Sequence, residues 1–346
     1  MKIKRITKII IFLLFILVAY LIVKNMNLQS QEVSDYLLDK EPSFINTSKN
    51  DALLVIVDGK LVKYDSQMNT TNIELDVIIT KAYACDDDLW VIDDKANLYT
   101  LHIGQNNTYE LSDVILENVD YVTGDTNGAI AITTEGEAYV WGKGDEYYSI
   151  GLGENEEAKE PIKIDGISNA TEVVRFHINT AILTETGELY VIGGIINSKW
   201  TEEAKEYVVT TDIVKEFTKV QHDSRISHIG ELDNLYTVYE DGAIAAWSEI
   251  KINDNGDIVL DSETCDWNSD LKFTQISFGE TFVIAIDSNN NIYFWGYDFT
   301  KRMSDKSDYI IHTTPQLIEF DKAIESVYAG NNVAFLKNGL EMYIIP

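Results

Sequence analysis

Three observations in the sequence predict an all-β protein, a seven-bladed β-propeller preceded by one N-terminal transmembrane helix. A pattern of apolar run, short polar turn and second apolar run occurs seven times, with a period near 47 residues. The runs are four to six residues long and rich in Val, Ile and aromatic residues, which is typical of β-strands. A continuous apolar run, residues 9–23, precedes the repeats.

The N-terminal segment joins a basic cytoplasmic tail, residues 1–8, to the apolar run 9–23. As a helix this run would be about 22 Å long, and Lys8 and Lys24 can extend toward the headgroups at its two ends. The same length suits a secretory signal, but the following KNMNLQSQE has no small-residue cleavage pattern. The sequence therefore favours an uncleaved signal-anchor over a cleaved signal. Because basic residues stay inside, residues 25 onward are expected outside the cytoplasm, with the chain bound to the cell membrane.

Residues 24–43 are expected to be a linker or a segment that closes the last blade. The chain ends on a hairpin strand, so the last blade needs a strand from elsewhere, and residues 28–45 are the only available supply. Within this segment, residues 32–40, EVSDYLLDK, form the one stretch behind the anchor whose pattern also fits a helix.

The propeller is expected to span residues 44–346. In AIAIT (129–133), TAILT (180–184) and FVIAI (282–286) both strand faces are apolar, so each strand needs cover on both sides. Sheets of about four strands, stacked radially between two neighbours, provide this cover and leave no open edge. The polar segments 160–167 and 314–320 suit half-exposed outer strands. The first apolar residues after the seven turns are Leu61, Leu98, Ala138, Leu189, Ile244, Ile292 and Met342.

Several units share an aromatic and glycine pattern behind the turn, followed by a proline that leads the outer strand. The residues that carry it are Gly136, Tyr139, Trp141, Gly142, Gly151, Leu152, Gly153 and Pro161 in the third unit, Gly187 and Tyr190 in the fourth, and Tyr293, Trp295, Gly296 and Pro315 in the sixth. This pattern resembles the repeat of the regulator of chromosome condensation family. The resemblance implies a seven-bladed propeller over about residues 44–346, as a divergent, bacterial-type, membrane-anchored member.

The chain also departs from that family. Its strand-opening Gly-x-x-His is mostly missing, with Gly279 retained in the sixth unit and Phe282 where the His would stand. The family's best-studied activity, nucleotide exchange on a nuclear GTPase, is not expected of an exported chain.

Charge excludes one class of partner. The formal net charge is −30, and five of the 27 basic residues lie within residues 1–24, which leaves 22 basic against 57 acidic residues in the remainder. A surface this negative repels phosphate backbones, so we expect no nucleic acid partner.

No pattern in the sequence predicts a catalytic site, a metal site or a cofactor. The five histidines fall in different units, and no GxSxG or paired Cys–His spacing is present. An exported domain permits a bridge between Cys85 and Cys265, but a chain of this size does not need one. The acidic stretches 86–88 and 253–261 are interpreted as turns, with calcium binding left open as the alternative.

The expected function is binding of an extracytoplasmic protein or surface ligand through loops at one end of the ring. Inhibition or scaffolding of a surface enzyme is one concrete version. Two alternatives stay open: a hydrolase or lyase with an acidic central-channel site, and a purely structural component of a surface assembly. The candidate partner-binding residues are aromatic residues in polar loops, whose other interpretation is that they cover the outer strands: Tyr147, Tyr148, Trp200 and Trp267.

Overall fold

The computed structural model describes residues 34–47, 51–85, 88–103, 108–124, 127–152, 157–176, 178–201, 206–232, 234–247, 249–253, 255–261, 271–297 and 311–345. The apolar run 9–23, the stretch 86–87, Gly153, Cys265 and Trp267 lie outside these ranges. Every regular element in them is a β-strand. Among the described residues no helix has the length and hydropathy needed to cross a bilayer.

The strands form seven sheets, and the predicted all-β, seven-bladed propeller is confirmed. The first half of the chain contains β1 (Ser34–Leu37), β2 (Phe44–Thr47), β3 (Leu53–Val57), β4 (Lys60–Tyr64), β5 (Thr70–Ile73), β6 (Ile79–Cys85), β7 (Asp88–Asp93), β8 (Leu98–Ile103), β9 (Tyr109–Leu111), β10 (Val119–Gly124), β11 (Gly128–Thr133), β12 (Ala138–Lys143) and β13 (Glu157–Lys163). Blade 1 is β2–β5, blade 2 is β6–β9 and blade 3 is β10–β13.

The second half contains β14 (Ala170–Phe176), β15 (Asn179–Thr184), β16 (Leu189–Thr201), β17 (Glu206–Gln221), β18 (Ile226–Leu232), β19 (Asn234–Tyr239), β20 (Ile244–Trp247), β21 (Glu249–Ile252), β22 (Ile258–Asp261), β23 (Phe273–Phe278), β24 (Phe282–Asp287), β25 (Ile292–Tyr297), β26 (Ile311–Ile318), β27 (Ser326–Ala329), β28 (Ala334–Asn338) and β29 (Glu341–Ile345). Blade 4 is built on β14–β17, blade 5 is β18–β20, blade 6 is β23–β26 and blade 7 is β27–β29 with β1.

The first strand of each blade is innermost. These strands contact one another in chain order, and β2 of blade 1 also contacts β27 of blade 7, which closes the ring. Successive strands within a blade are antiparallel, so connections alternate between two faces. We call the face that carries the first-to-second and third-to-fourth connections the AB face. The opposite face, which carries the second-to-third turns, is the BC face.

Blade 7 takes its outer strand from the N-terminal side of the chain. Strand β1 pairs antiparallel with β29, with Ser34 opposite Ile344 and Leu37 opposite Glu341. The alternative that residues 32–40 form a helix is therefore wrong, because Ser34–Leu37 form a strand. The apolar pair that suggested it has a different role, because Leu38 is buried under blade 7 while Leu37 is 73% exposed.

Blade 5 differs from the expected four strands, since its sheet contains three among the described residues. The hairpin β21–β22 pairs instead with the edge of blade 4, where Val220 of β17 lies opposite Ile258 in a parallel bridge. Ile250 and Ile258 are buried in one cluster with Val220 between blades 4 and 5. The acidic stretch 253–261 begins as a turn, as predicted, but its last four residues form β22.

The core lies between blades. All six residues of β24 are buried, and β11 and β15 have five buried residues each. Two-sided burial is what the apolar runs predict, because a radial sheet has a neighbouring sheet on each face.

Candidate functional site

A cavity of about 530 Å³ opens at the AB end of the central channel. All seven inner strands contribute to it, because each runs toward the AB face and ends there. Its polar and charged lining side chains include Asn46, Tyr83, Arg175, Glu231 and Glu280. Concave sites with a few convergent polar groups are where proteins usually bind small-molecule ligands.

Blades 1 to 3 form an aromatic arc in the channel wall. The ring of Tyr83 lies edge-on to Phe44 at 5.6 Å and to Tyr121 at 5.1 Å between ring centroids. Burial raises the pKa of Tyr83 above its ordinary value, with Tyr121 and Asp120 adding to the rise. Its hydroxyl therefore stays neutral and can act as a hydrogen-bond donor.

Blades 4 to 6 contribute the charged part of the lining. The guanidinium of Arg175 donates from Nη1 to the carbonyl oxygen of Gly128 in blade 3, at 3.3 Å. Glu231 is half-buried and Glu280 is exposed at the rim. One cation and two carboxylates give this side of the cavity a negative balance.

Deeper in the channel, polar side chains join neighbouring inner strands. Glu172 of β14 contacts His228 of β18, with 2.5 Å between Oε1 and Nδ1, and its Oε2 accepts the Ile229 N–H at 2.8 Å. This hydrogen bond raises the pKa of His228, against the opposing effect of burial. The contacts fix the relative position of blades 4 and 5, so the cavity wall is preorganised.

Tyr147 and Tyr148 lie in the blade 3 connection on the AB face, as predicted, and both are half-buried. Asp145 organises this loop, since its Oδ1 accepts the N–H of Tyr147 at 3.0 Å and of Ser149 at 2.9 Å. Lys215 of blade 4 places its Nζ 5.0 Å from the centre of the Tyr148 ring. Part of the loop's role is therefore to join blades 3 and 4, and partner binding by the two tyrosines stays a prediction.

Trp200 does not lie in a loop, and that placement was wrong. It belongs to β16, where its backbone is paired with Tyr207 of β17. Strands β16 and β17 form a hairpin that continues past Gly193, the position where the third strands of other blades reach the AB face. Polar composition suggested a loop, but antiparallel pairing satisfies the backbone along this hairpin. Trp267 lies outside the described residues.

The Trp-Gly pair of the repeat has a packing role. Trp141 lies edge-on to Trp90 of the preceding blade at 5.4 Å, and Trp295 lies 6.4 Å from Tyr236 of blade 5. The following Gly142 has φ +120°, and a Cβ there would lie 2.3 Å from the carbonyl oxygen of Asn127. Gly296 and Gly193 share this conformation, with φ of +103° and +119°.

The turn glycines and the repeat tyrosines are also structural. Gly136 and Gly187 occupy left-handed positions in the second-to-third turns, with φ of +74° and +81°. The Tyr139 hydroxyl donates to Glu137 at 3.0 Å, and the Tyr190 hydroxyl donates to Glu188 at 3.4 Å. In blade 6, burial and the hydrogen bond to Asp287 raise the pKa of Tyr293.

The remaining motif residues shape the outer strands. Pro161 and Pro315 each lie where the register of the outer strand shifts against the third strand. Proline is tolerated at a bulge on an edge strand because no ladder N–H is needed there. Gly151 has φ +83° and packs against the ring of Phe217 in blade 4.

Metal ligands do not converge in the described part of the chain, where no group of three His, Cys, Asp or Glu side chains is placed to hold an ion. His228 contacts Glu172, and Nδ1 of His222 lies 2.7 Å from the carbonyl oxygen of Ser224. Cys85 ends β6, and its bridging to Cys265 is not tested because Cys265 lies outside the described residues.

Comparison with known proteins supports the fold. No known family model matches the sequence, and no curated protein does. Human WBSCR16 superimposes with a TM-score of 0.61 at 13% identity, covering 89% of this chain and 87% of that one. Prp20p from Saccharomyces cerevisiae, a protein described as binding Gsp1p and histones, gives 0.58 at 12% identity, over 86% and 81% of the two chains. YCF48 from Cyanidioschyzon merolae gives 0.51 at 13% identity, over 90% and 97%, and YCF48 is also known bound to a D1 peptide. Regulator of chromosome condensation proteins are thus among the structural neighbours, at low identity.

Proposed function

We propose that this chain is a membrane-anchored protein-interaction module that receives an extracytoplasmic protein partner on its AB face. The observation that carries the proposal is the coincidence on one face of the central cavity and the extended β16–β17 hairpin. A cavity can hold a partner segment while a hairpin on the same face contacts the partner's flank.

Two further points support protein binding. Propellers are commonly interaction modules, and structural neighbours of this chain bind proteins or peptides. The charge of residues 25 onward disfavours nucleic acid. Anchoring rests on the apolar run 9–23 and its basic flank.

The test is capture of partners from a detergent extract of the native membrane by the full chain and by two matched variants. Glu146→Lys reverses an exposed charge on the AB face of blade 3, and Glu135→Lys reverses an exposed charge on the BC face of the same blade. We expect one protein to be retained by the wild type and by Glu135→Lys, and weakened with Glu146→Lys. Equal retention by all three would contradict an AB-face site.

An enzyme remains the second candidate because Glu231 and Glu280 place two carboxylates at the cavity. The same full chain should be incubated with glycan and peptide substrates. Turnover that is lost in the double variant Glu231→Gln and Glu280→Gln would favour a hydrolase or lyase over a binding module.

A further inference from the structure

We infer that the central cavity binds an organic cation, and that the protein partner of the proposed function supplies it as a basic side chain, lysine or arginine. The inference rests on the proposed function for the source of the cation. Its starting observations are the size and the charge of the residues at the AB ends of the inner strands.

Residue size at these ends explains why a cavity is present and which blades form its charged wall. Strands β6, β10, β14, β18 and β23 each have a bulge at their start, and aligning the bulges gives one equivalent position near the AB end. The residue there is small in blades 2 and 3 and large in blades 4, 5 and 6: Ala84, Gly124, Arg175, Glu231 and Phe278. Small residues also line the cavity in blades 1 and 7, where Thr47 and Ala329 stand. The space therefore faces a wall built by blades 4 to 6.

The charges of this wall favour a cation. The charged residues of the described lining are Arg175, Glu231 and Glu280, which give two carboxylates and one guanidinium. A third carboxylate lies behind the lining, since Oδ1 of Asp51 is 2.9 Å from the position that a Cβ on Gly330 would take. Beyond residue 24 the chain has 57 acidic and 22 basic residues, so its field attracts cations and repels anions at this opening.

An aromatic ring lies in the same wall. Phe278 is in the blade that follows Glu231 and stands two residues before Glu280. Its ring is held by packing, because a Cβ on Gly230 would lie 2.2 Å from it and the Tyr236 ring is 5.6 Å away between centroids. A basic side chain matches both parts of this wall. Its methylene stem packs on an aromatic ring, and its charged head pairs with carboxylates.

The remaining lining adds no charge that would oppose such a ligand. Tyr83 and Tyr121 belong to it, and the burial that raises the pKa of Tyr83 keeps that hydroxyl neutral. Neutral phenol oxygens accept hydrogen bonds from an ammonium or a guanidinium group. A metal ion is matched less well, because the described residues place no group of three His, Cys, Asp or Glu side chains around one point. A cavity of about 530 Å³ also has room for a side chain together with the backbone that carries it.

The test measures binding of a lysine peptide to the full chain in detergent by ligand-observed nuclear magnetic resonance. The probe is acetyl-Gly-Gly-Lys-Gly-Gly-amide, and the control peptide carries norleucine, which keeps an aliphatic stem without the ammonium. We expect the lysine peptide to bind about tenfold more tightly, because only its ammonium can pair with the carboxylates. Equal binding of the two peptides would overturn the inference.

Two double variants with the same change of net charge locate the site. Glu231→Gln combined with Glu280→Gln should weaken binding of the lysine peptide by about tenfold. Glu135→Gln combined with Glu185→Gln alters two exposed carboxylates on the BC face and should leave the affinity within about twofold. An equal loss in both double variants would contradict a site in the cavity. Butylamine that binds as tightly as the peptide would make a free amine the ligand instead of a basic side chain.

A measurement on the unsubstituted chain covers the case in which the glutamine variants do not fold. A carbodiimide joins the amine of the bound lysine peptide to a neighbouring carboxylate as an amide, and mass spectrometry identifies the residue. We expect coupling at Glu231 or Glu280 to exceed coupling at Glu135 and Glu185, although the latter two are exposed. Preferential coupling at Glu135 and Glu185 would place the peptide outside the cavity and overturn the inference.

Failure of this inference is distinguishable from failure of the proposed function. If a protein is captured on the AB face and the variant with Glu231→Gln and Glu280→Gln retains it equally, the inference is wrong and the proposed function stands. If the lysine peptide binds in the cavity but no protein is captured on the AB face, the cation chemistry stands and the protein source is wrong.

Discussion

The carboxylate of Asp51 in blade 1 accepts the backbone N–H of Asn331 in blade 7 at 2.7 Å. The same Oδ1 accepts the N–H of Asn332 at 2.6 Å, and Oδ2 accepts from its side-chain amide at 3.2 Å. One side chain thus accepts two backbone N–H groups of the loop that follows β27. It joins the first and last blades on the AB face, next to the cavity.

Replacing Asp51 by Ala should lower the free energy of unfolding by about 1–3 kcal/mol more than replacing Asp58, because it leaves two loop N–H groups without their charged acceptor. Asp58→Ala is a matched control, since both aspartates have positive φ, 55° and 51°, and Asp58 pairs with Lys40 at an exposed position. Urea unfolding followed by tryptophan fluorescence measures both. Equal losses would show that the contact does not stabilise ring closure.

Leu38→Ala should destabilise the fold by about 2–4 kcal/mol, because the side chain is buried against Met342 and Phe335. The adjacent Leu37→Ala should change the free energy of unfolding by less than about 0.5 kcal/mol, since Leu37 is exposed. Thermal and urea unfolding of the pair test whether the segment after β1 is held to blade 7. A larger effect at Leu37 would contradict the placement of β1.

Gly142→Ala should be strongly destabilising, by more than about 2 kcal/mol, because its Cβ would overlap the backbone of Asn127 and Gly128 at 2.3 Å. Gly166→Ala has a comparable left-handed φ of +81° but open space around the new methyl group. It should therefore show only the conformational penalty of about 1 kcal/mol. A similar loss for both variants would mean that close packing after the repeat tryptophan is unimportant.

The contact between Glu172 and His228 should make stability depend on pH. The carboxylate raises the pKa of His228, so the stabilising contribution is fully present below the ordinary pKa of a histidine. It is lost as the pH rises through the raised value, because the imidazole then becomes neutral in the folded protein. The free energy difference between wild type and His228→Gln should accordingly shrink as the pH is raised.

Nuclear magnetic resonance titration of His228 provides the direct measurement. Its pKa should fall in Glu172→Gln and stay unchanged in Glu185→Gln, which alters an exposed carboxylate on the BC face. A pKa of His228 that does not move in Glu172→Gln would remove the proposed cause.

The hairpins inside the blades were predictable because their information is local. In each hairpin the turn glycine, such as Gly136 or Gly187, and the two apolar runs on either side of it lie within about fifteen residues. The length of β16 and β17 was not predictable, because polar residues around Trp200 are compatible with either a loop or a pair of strands. The pairing of β22 with β17 was also not predictable, since the sequence of neither strand indicates its partner.

The cavity was not predictable for a related reason. Each inner strand contributes only one to a few residues, and Tyr83, Arg175 and Glu231 lie in three different blades. No short motif unites them. Aligning the inner strands β14 and β18 by the bulge that they share with β6, β10 and β23 places Arg175 and Glu231 at equivalent positions, as it does Glu172 and His228.

The pairing of Ser34 with Ile344 also has a consequence for biosynthesis. Strand β1 is the first described strand of the propeller to leave the ribosome, and its partner β29 is the last of the described strands. During translation, β1 must wait with an unpaired edge while six blades form behind it. Ring closure should therefore be a late step of folding, and slow, because contacts between distant parts of a chain form slowly.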